Sequence, residues 1–318
     1  MNPSRAAART TVLTTVLTTV LTAIRTVVLL EWGRSLLRAA GIASAALDVL
    51  LLMSYASGGR YDKVKLLTAG PDERMTEAET IFFQALIQKR ARGAPVAYLI
   101  HQCEFMGLTF RIEESVLIPR PDTETMVEEA LELMRREGLQ TVLELCTGSG
   151  CVGVSLAHYG GARVVATDIS PEALALAARN ADDCLGNRSD NCPDGQIQFV
   201  LSDLFEAVPQ GPYDMIAANP PYVVASEIAS LPVSVRDYEP RIALNGGPDG
   251  LDFYRRIAAA AGAYLTDGGV MLLEIGYDQA GAVAKILRGQ GFADVTVKKD
   301  LAGLDRLVRC RYNRSFYV

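Results

Sequence analysis

From Asp122 onward the sequence alternates between helical and strand-like periods, and this alternation restricts the fold more than any other feature. A helical stretch over 122–137 precedes the apolar run Thr141–Leu145. Helix 151–159 precedes strand Arg163–Asp168, and helix 171–183 precedes strand 196–201. Strand 214–218 follows, then a long loop, helix 250–265, strand 269–275, helix 278–290 and closing strands near 293–299 and 306–312. Short apolar runs between helices are strands buried on both faces. Strands joined through helices lie parallel, because each connection is a crossover. The expected fold is therefore α/β, with a doubly wound, mostly parallel sheet. Such sheets bind ligands beyond the carboxyl ends of their strands, at the point where the strand order reverses. Chemistry is expected just after residues 145, 168, 201 and 218.

The chain has 318 residues, more than one core usually holds, so a second domain is expected. Residues 26–92 read as a small all-helical domain. Leu29, Leu30, Trp32, Leu36 and Leu37 recur at helical spacing until Gly41. A second run covers Ser44–Tyr55, and a short helix is expected near Tyr61–Leu67. Thr76 with Glu79 forms a capping box that opens a helix to about Arg92. Residues 93–121 read as a β-hairpin linker, with strands at 96–100 and 104–112 and Gly107 between them. Ile118-Pro119-Arg120-Pro121 closes it and suits neither regular helix nor central strand. The α/β domain then spans 122–318. Residues 1–25 form a Thr-rich extension with the echo TTVLTTVLTTVLT and no acid before Glu31. Frequent threonine and Arg25 argue against a membrane span. An organellar transit peptide is the alternative to an extension that is disordered or continues the first helix.

Composition excludes several functions. The net charge of −6 gives no basic footprint for phosphates, so a protein or small-molecule partner is expected, without direct nucleic-acid binding. Two histidines, far apart at 101 and 158, exclude a histidine-rich metal site and disfavour a Ser-His-Asp triad. The six cysteines contain no CxxC pair. Reduced thiols in a cytoplasmic monomer are expected, with Cys184–Cys192 the one disulfide weighed.

The first strand runs into Cys146-Thr147-Gly148-Ser149-Gly150-Cys151-Val152-Gly153, a match to GxGxxG. Glycines let backbone approach a ligand, and the following helix offers free N–H groups. Asp168 ends the next strand, 20 residues after Gly148, where a carboxylate can accept both ribose hydroxyls. Asp203 is placed for the amine of an adenine, and Leu204 or Phe205 for its ring. These features fit NAD and S-adenosylmethionine alike. Glu144, before the glycine turn, favours a ligand with an ammonium group over a pyrophosphate.

Asn219-Pro220-Pro221-Tyr222 after strand 214–218 is the most specific segment. Two prolines fix an extended backbone whose carbonyls face the crevice. A planar amide or aromatic amine nitrogen is a poor nucleophile. The Asn219 side-chain oxygen and the Pro220 carbonyl can each accept one of its hydrogens and aim its lone pair at a methyl group. Tyr222 offers a flat wall. Asn219 is counted on both the substrate and the cofactor side. By itself the segment fits glutamine and adenine equally.

Several further stretches resemble one family: Ala97-Tyr98-Leu99, Glu104-Phe105-x-Gly107-Leu108, Leu117 to Glu124, Cys146 to Gly150, Asn219 to Tyr222 and Gly246 to Leu251. Together they resemble the glutamine-amide methyltransferases of the HemK/PrmC type over residues 26–318. The resemblance implies a helical N-terminal domain, a hairpin linker and a class I, Rossmann-like methyltransferase domain using S-adenosylmethionine. It also implies methylation of the glutamine in the Gly-Gly-Gln loop of peptide chain release factors. By motif, Cys146, Thr147, Gly148, Ser149, Gly150 and Asp168 would hold the cofactor, with Leu204 beside its adenine. Asn219 to Tyr222 would bind the glutamine, and Pro119 to Glu124, with Arg120 among them, would wall the same pocket. The helical domain would recognise the substrate. Ile118-Pro119-Arg120-Pro121 favours a release factor over a ribosomal protein. The chain departs from the family pattern at Glu144, where Asp is more usual, at Cys146, where Gly is commoner, and at Leu204, where an aromatic is common.

Overall fold

The computed structural model describes residues 25–62, 65–66, 73–186 and 196–313. The Thr-rich start, residues 63, 64 and 67 of the helix expected near Tyr61–Leu67, and Cys192 lie outside the described residues. The chain divides into two compact units, Met1–Ile100 and His101–Val318.

The first unit contains α1 (Thr26–Ala39), α2 (Ala45–Ala56), α3 (Glu77–Ala91) and α4 (Val96–Ile100). Leu29, Leu37, Val49, Leu52, Met53, Phe83 and Ile87 bury their side chains. The α3 capping box forms as the sequence requires: Glu79 N–H donates to Thr76 Oγ1 at 3.3 Å and Thr76 N–H donates to Glu79 Oε2 at 2.8 Å. Arg90 Nε donates to Asp48 Oδ2 at 2.7 Å and its Nη1 to the Ala94 carbonyl at 3.2 Å, tying the end of α3 to α2. Residues 96–100 are helix and not the expected strand. Five apolar residues carry too little period to separate the two. The turn closes when Leu99 N–H donates to the Pro95 carbonyl at 3.2 Å, burying Tyr98, Leu99 and Ile100.

The second unit opens with a hairpin of β1 (Gln102–Phe105) and β2 (Leu108–Arg111). Its two-residue turn, Met106-Gly107, has φ +51° and +72°, the left-handed pair that matches the twist of the strands. The Glu124 carboxylate accepts Met106 N–H at 2.7 Å. Next come α5 (Pro121–Glu137), β3 (Thr141–Leu145), α6 (Cys151–Gly160), β4 (Arg163–Asp168), α7 (Pro171–Leu185), β5 (Ile197–Leu201) and β6 (Tyr213–Ala218). After α8 (Val233–Arg236) the chain runs through α9 (Asp252–Ala261), β7 (Leu265–Glu274), α10 (Ala280–Gly289), β8 (Ala293–Lys299) and β9 (Asp305–Arg311). The seven-stranded sheet has the order β5-β4-β3-β6-β7-β9-β8. It is parallel except for β9, which is antiparallel to both neighbours. Strand order reverses between β3 and β6, so the crevice opens over Leu145 and Ala218. Leu143, Ile216, Tyr254, Ile257, Met271 and Leu287 belong to the main core. The expected helix 250–265 is shorter because Gly262 ends it and β7 begins at Leu265, which pairs with Tyr213. Among the described residues no helix is long and apolar enough to cross a membrane.

Candidate active site

One cleft lies over the carboxyl ends of β3, β4, β5 and β6. From β3 come Glu144 and the turn Cys146 to Ser149, from β4 Asp168, from the loop after β5 Ser202, Asp203 and Leu204, and from β6 Asn219 and Pro221. Pro119 and Arg120 complete the set of expected residues on its wall. Gly150, the αL residue before α6, stands behind the turn against Ala177. Three carboxylates thus face one space, a set of acceptors suited to a cationic ligand carrying hydroxyl and amino groups.

Glu144 is buried, and its Oε2 accepts Thr147 Oγ1–H at 2.7 Å and Gly153 N–H at 3.1 Å. The third glycine of the motif is required here: a Cβ at 153 would stand 2.4 Å from Glu144 Oε2. Burial pushes the Glu144 carboxyl up to about 8, against the pull of these two donors. Asp168 accepts Gly148 N–H at 2.8 Å through Oδ2 and Ser170 N–H at 3.0 Å through Oδ1. Each oxygen keeps a lone pair for a ligand. Burial raises this carboxyl too, opposed first by the Ser170 amide. The α7 cap is Ser170, whose hydroxyl accepts Ala173 N–H at 3.1 Å. Cys146 and Leu204 have φ +58° and +51°. The glycine common at the first position is explained by this left-handed backbone, which cysteine adopts at a cost of about 1 kcal/mol.

On the catalytic side, Asn219 Nδ2 donates to Thr123 Oγ1 at 3.3 Å. The amide is thereby turned with its Oδ1 left as the outward acceptor. The backbone after it is held by the Gly246–Leu251 loop. Val223 N–H donates to the Leu244 carbonyl at 2.9 Å, and Gly246 N–H returns to the Val223 carbonyl at 2.8 Å. A Cβ at Gly246 would come within 2.7 Å of Tyr222 Cα, so glycine there is a matter of backbone contact.

Not every expected residue reaches the cleft. Pro220 and Tyr222 are absent from its wall. Tyr222 packs on the main core, and its hydroxyl points to Glu274 Oε1 at 3.5 Å. Burial pushes that hydroxyl up to about 12. Phe205 is not a ring partner for a ligand: it stacks on Tyr264 in the core, with centroids 4.8 Å apart. Asp203 is paired with Arg256 at 2.8 Å, and Arg120 with the buried Glu239. Val116, Thr123, Ile242, Phe253 and Arg256 line the cleft without having been expected individually. Thr123 stands inside the Pro-Arg-Pro-Asp-Thr-Glu stretch already assigned to the wall. Arg256 carries no local signal, because only the packing of α9 brings it to β5.

This sheet order, glycine turn and acidic β4 terminus define a class I methyltransferase. The family model described as PrmC N-terminal domain matches residues 28–100, and the one described as Methyltransferase small domain matches residues 124–232. The release factor glutamine methyltransferase of Cereibacter sphaeroides is 44% identical over 276 residues, covering 86% of this chain and 94% of its own. That of Clostridium acetobutylicum is 39% identical, covering 82% and 89%. The solved hMettl16 catalytic domain, in complex with MAT2A 3′UTR hairpin 6, shares the fold at a TM-score of 0.50 and 21% identity, covering 73% of this chain and 82% of that one. The chain belongs to the release factor glutamine methyltransferase family.

Proposed function

We propose that this chain transfers a methyl group from S-adenosylmethionine to the side-chain amide nitrogen of the glutamine in the Gly-Gly-Gln loop of a peptide chain release factor. The observation that carries this reading is the Asn219 amide, pinned through Nδ2 to Thr123 beside a cleft bearing Glu144, Asp168 and Asp203. S-adenosylmethionine supplies, when bound, an electrophilic methyl on a sulfonium. Glu144 would hold its ammonium, Asp168 its ribose, and Asp203 with Leu204 its adenine. Cys146 to Gly150 would let it lie close to backbone. Asn219 Oδ1 would accept one hydrogen of the glutamine amide, which helps turn the nitrogen lone pair toward the methyl. Pro221 keeps this backbone extended beside the cleft. The new N–C bond forms as the S–C bond breaks. The nitrogen, then positively charged, gives its extra proton to water. Positioning and electrostatics carry the rate, so no general base precedes transfer.

Pro119 and Arg120 would wall the glutamine side, and the helical domain would recognise the release factor. A net charge of −6 supports a protein substrate over nucleic acid. The enzyme is taken to act as a cytoplasmic monomer. Incubation of a release factor with the chain and methyl-labelled cofactor should label the factor. Asn219→Ala should lower turnover by about 10²-fold while cofactor affinity changes less than about twofold. No label with the intact factor, or full turnover by that variant, would sink the reading.

A further inference from the structure

Gln279 is the N-cap residue of α10, and its side chain is buried. It reaches three loops at the carboxyl end of the sheet. Oε1 accepts Gly276 N–H, just after β7, at 2.9 Å. Nε2 donates to the Tyr222 carbonyl, after β6, at 2.9 Å and to the Gly250 carbonyl, before α9, at 3.3 Å. Both amide hydrogens and the amide oxygen are thus used, and the flipped amide would set its oxygen against two carbonyls. The loop makes room for this contact. A Cβ at Gly250, whose φ is +74°, would stand 2.5 Å from the Tyr222 carbonyl oxygen and 2.6 Å from Gln279 Nε2. Pro220 and Pro221 bring no N–H by which the fold could grip the chain after Asn219. The peptide that joins Tyr222 to Val223 is held from both sides, its carbonyl by Gln279 and its N–H by the Leu244 carbonyl at 2.9 Å.

We propose that Gln279 is a positioning residue for methyl transfer: its amide clamps the Tyr222 and Gly250 carbonyls together and so sets the backbone that carries Asn219 and Pro221 to the cleft. This rests on the role given to Asn219 above. Gln279 is not itself on the cleft wall. Glu144, Asp168 and Asp203 stand on or after β3, β4 and β5, whereas Gln279 follows β7, on the other side of β6. Its loss should therefore reach the chemistry and spare the cofactor. A shift of about 1 Å in a group that holds the reacting nitrogen costs on the order of 10²-fold in rate. A packing role makes a different prediction, because a side chain of the same length without the amide would then serve as well.

The test is Gln279→Met, which keeps length and volume but has no amide. Its kcat, at saturating cofactor and release factor, should fall about 10- to 100-fold, while the dissociation constant for S-adenosylmethionine, read by calorimetric titration, changes less than about twofold. Full kcat, or cofactor affinity that falls in step with kcat, overturns the proposal. If thermal melting shows that Gln279→Met fails to fold, Gln279→Glu decides on the same two readings, since it keeps an acceptor for Gly276 N–H but turns a second oxygen on the two carbonyls. In the double variant Asn219→Ala, Gln279→Met the losses should overlap, the second substitution costing less than about threefold. Losses that multiply in full would mark a separate, structural effect and overturn the proposal too. Asn219→Ala alone separates the two readings: full turnover there removes the role of Asn219 itself, whereas its loss alongside a normal Gln279→Met removes only the link to Gln279.

Discussion

Glu144 is a buried carboxylate of the cleft. Its Oε2 is fixed by Thr147 and Gly153, and the absence of a Cβ at 153 leaves room for it. Gly153→Ala should force the carboxylate to move, lowering stability by about 1–3 kcal/mol and weakening cofactor binding about tenfold or more. Calorimetric titration with S-adenosylmethionine checks this; unchanged affinity would show that Glu144 does not hold the ligand. At this scale the sequence was informative where a residue's place follows from its own strand. Glu144, Asp168 and Asn219 stand at strand ends, and a strand end in a parallel sheet is already a position in the crevice. It was uninformative where a distant element decides. Phe205 was expected near the ligand, but Tyr264 holds its ring in the core. Arg256 was invisible because its pairing with Asp203 crosses 53 positions in sequence.

Among the elements, period and capping fixed what could be fixed locally. The α3 capping box was readable because Thr76 and Glu79 are three apart. Residues 96–100 were misread because so short an apolar run fits either period. The Gly246–Leu251 stretch was recognisable as a motif, but its work, holding the Tyr222 backbone, needs the fold. The Arg90–Asp48 pair, with side chains 15% and 7% exposed, is the strongest tie between α2 and α3. Arg90→Ala leaves Asp48 buried without its cation and should cost about 3 kcal/mol. Thr76→Ala, at an exposed cap, should cost about 1 kcal/mol. Urea unfolding of both variants checks the order; an Arg90→Ala cost below that of Thr76→Ala would contradict it.

For the whole molecule, two buried carboxyls set the response to pH. Glu144 and Glu274 are raised by burial to about 8 and about 7. An acid with a raised folded value binds protons in the folded state that the unfolded state has already released. Their contribution is therefore fully present below about pH 4.5 and is lost as pH rises through 7 to 8. The cofactor-free protein should lose a few kcal/mol between about pH 5 and 8. S-adenosylmethionine, whose ammonium favours ionised Glu144, should offset part of that loss and release protons on binding. Thermal melts with and without cofactor should diverge as pH rises; parallel curves would contradict the assignment of Glu144. The central claim is tested most directly by the mass spectrum of the Gly-Gly-Gln peptide after a release factor is incubated with the chain and S-adenosylmethionine. The account predicts a single added methyl on the glutamine side-chain amide. An unmodified glutamine, or a methyl placed elsewhere, would contradict it.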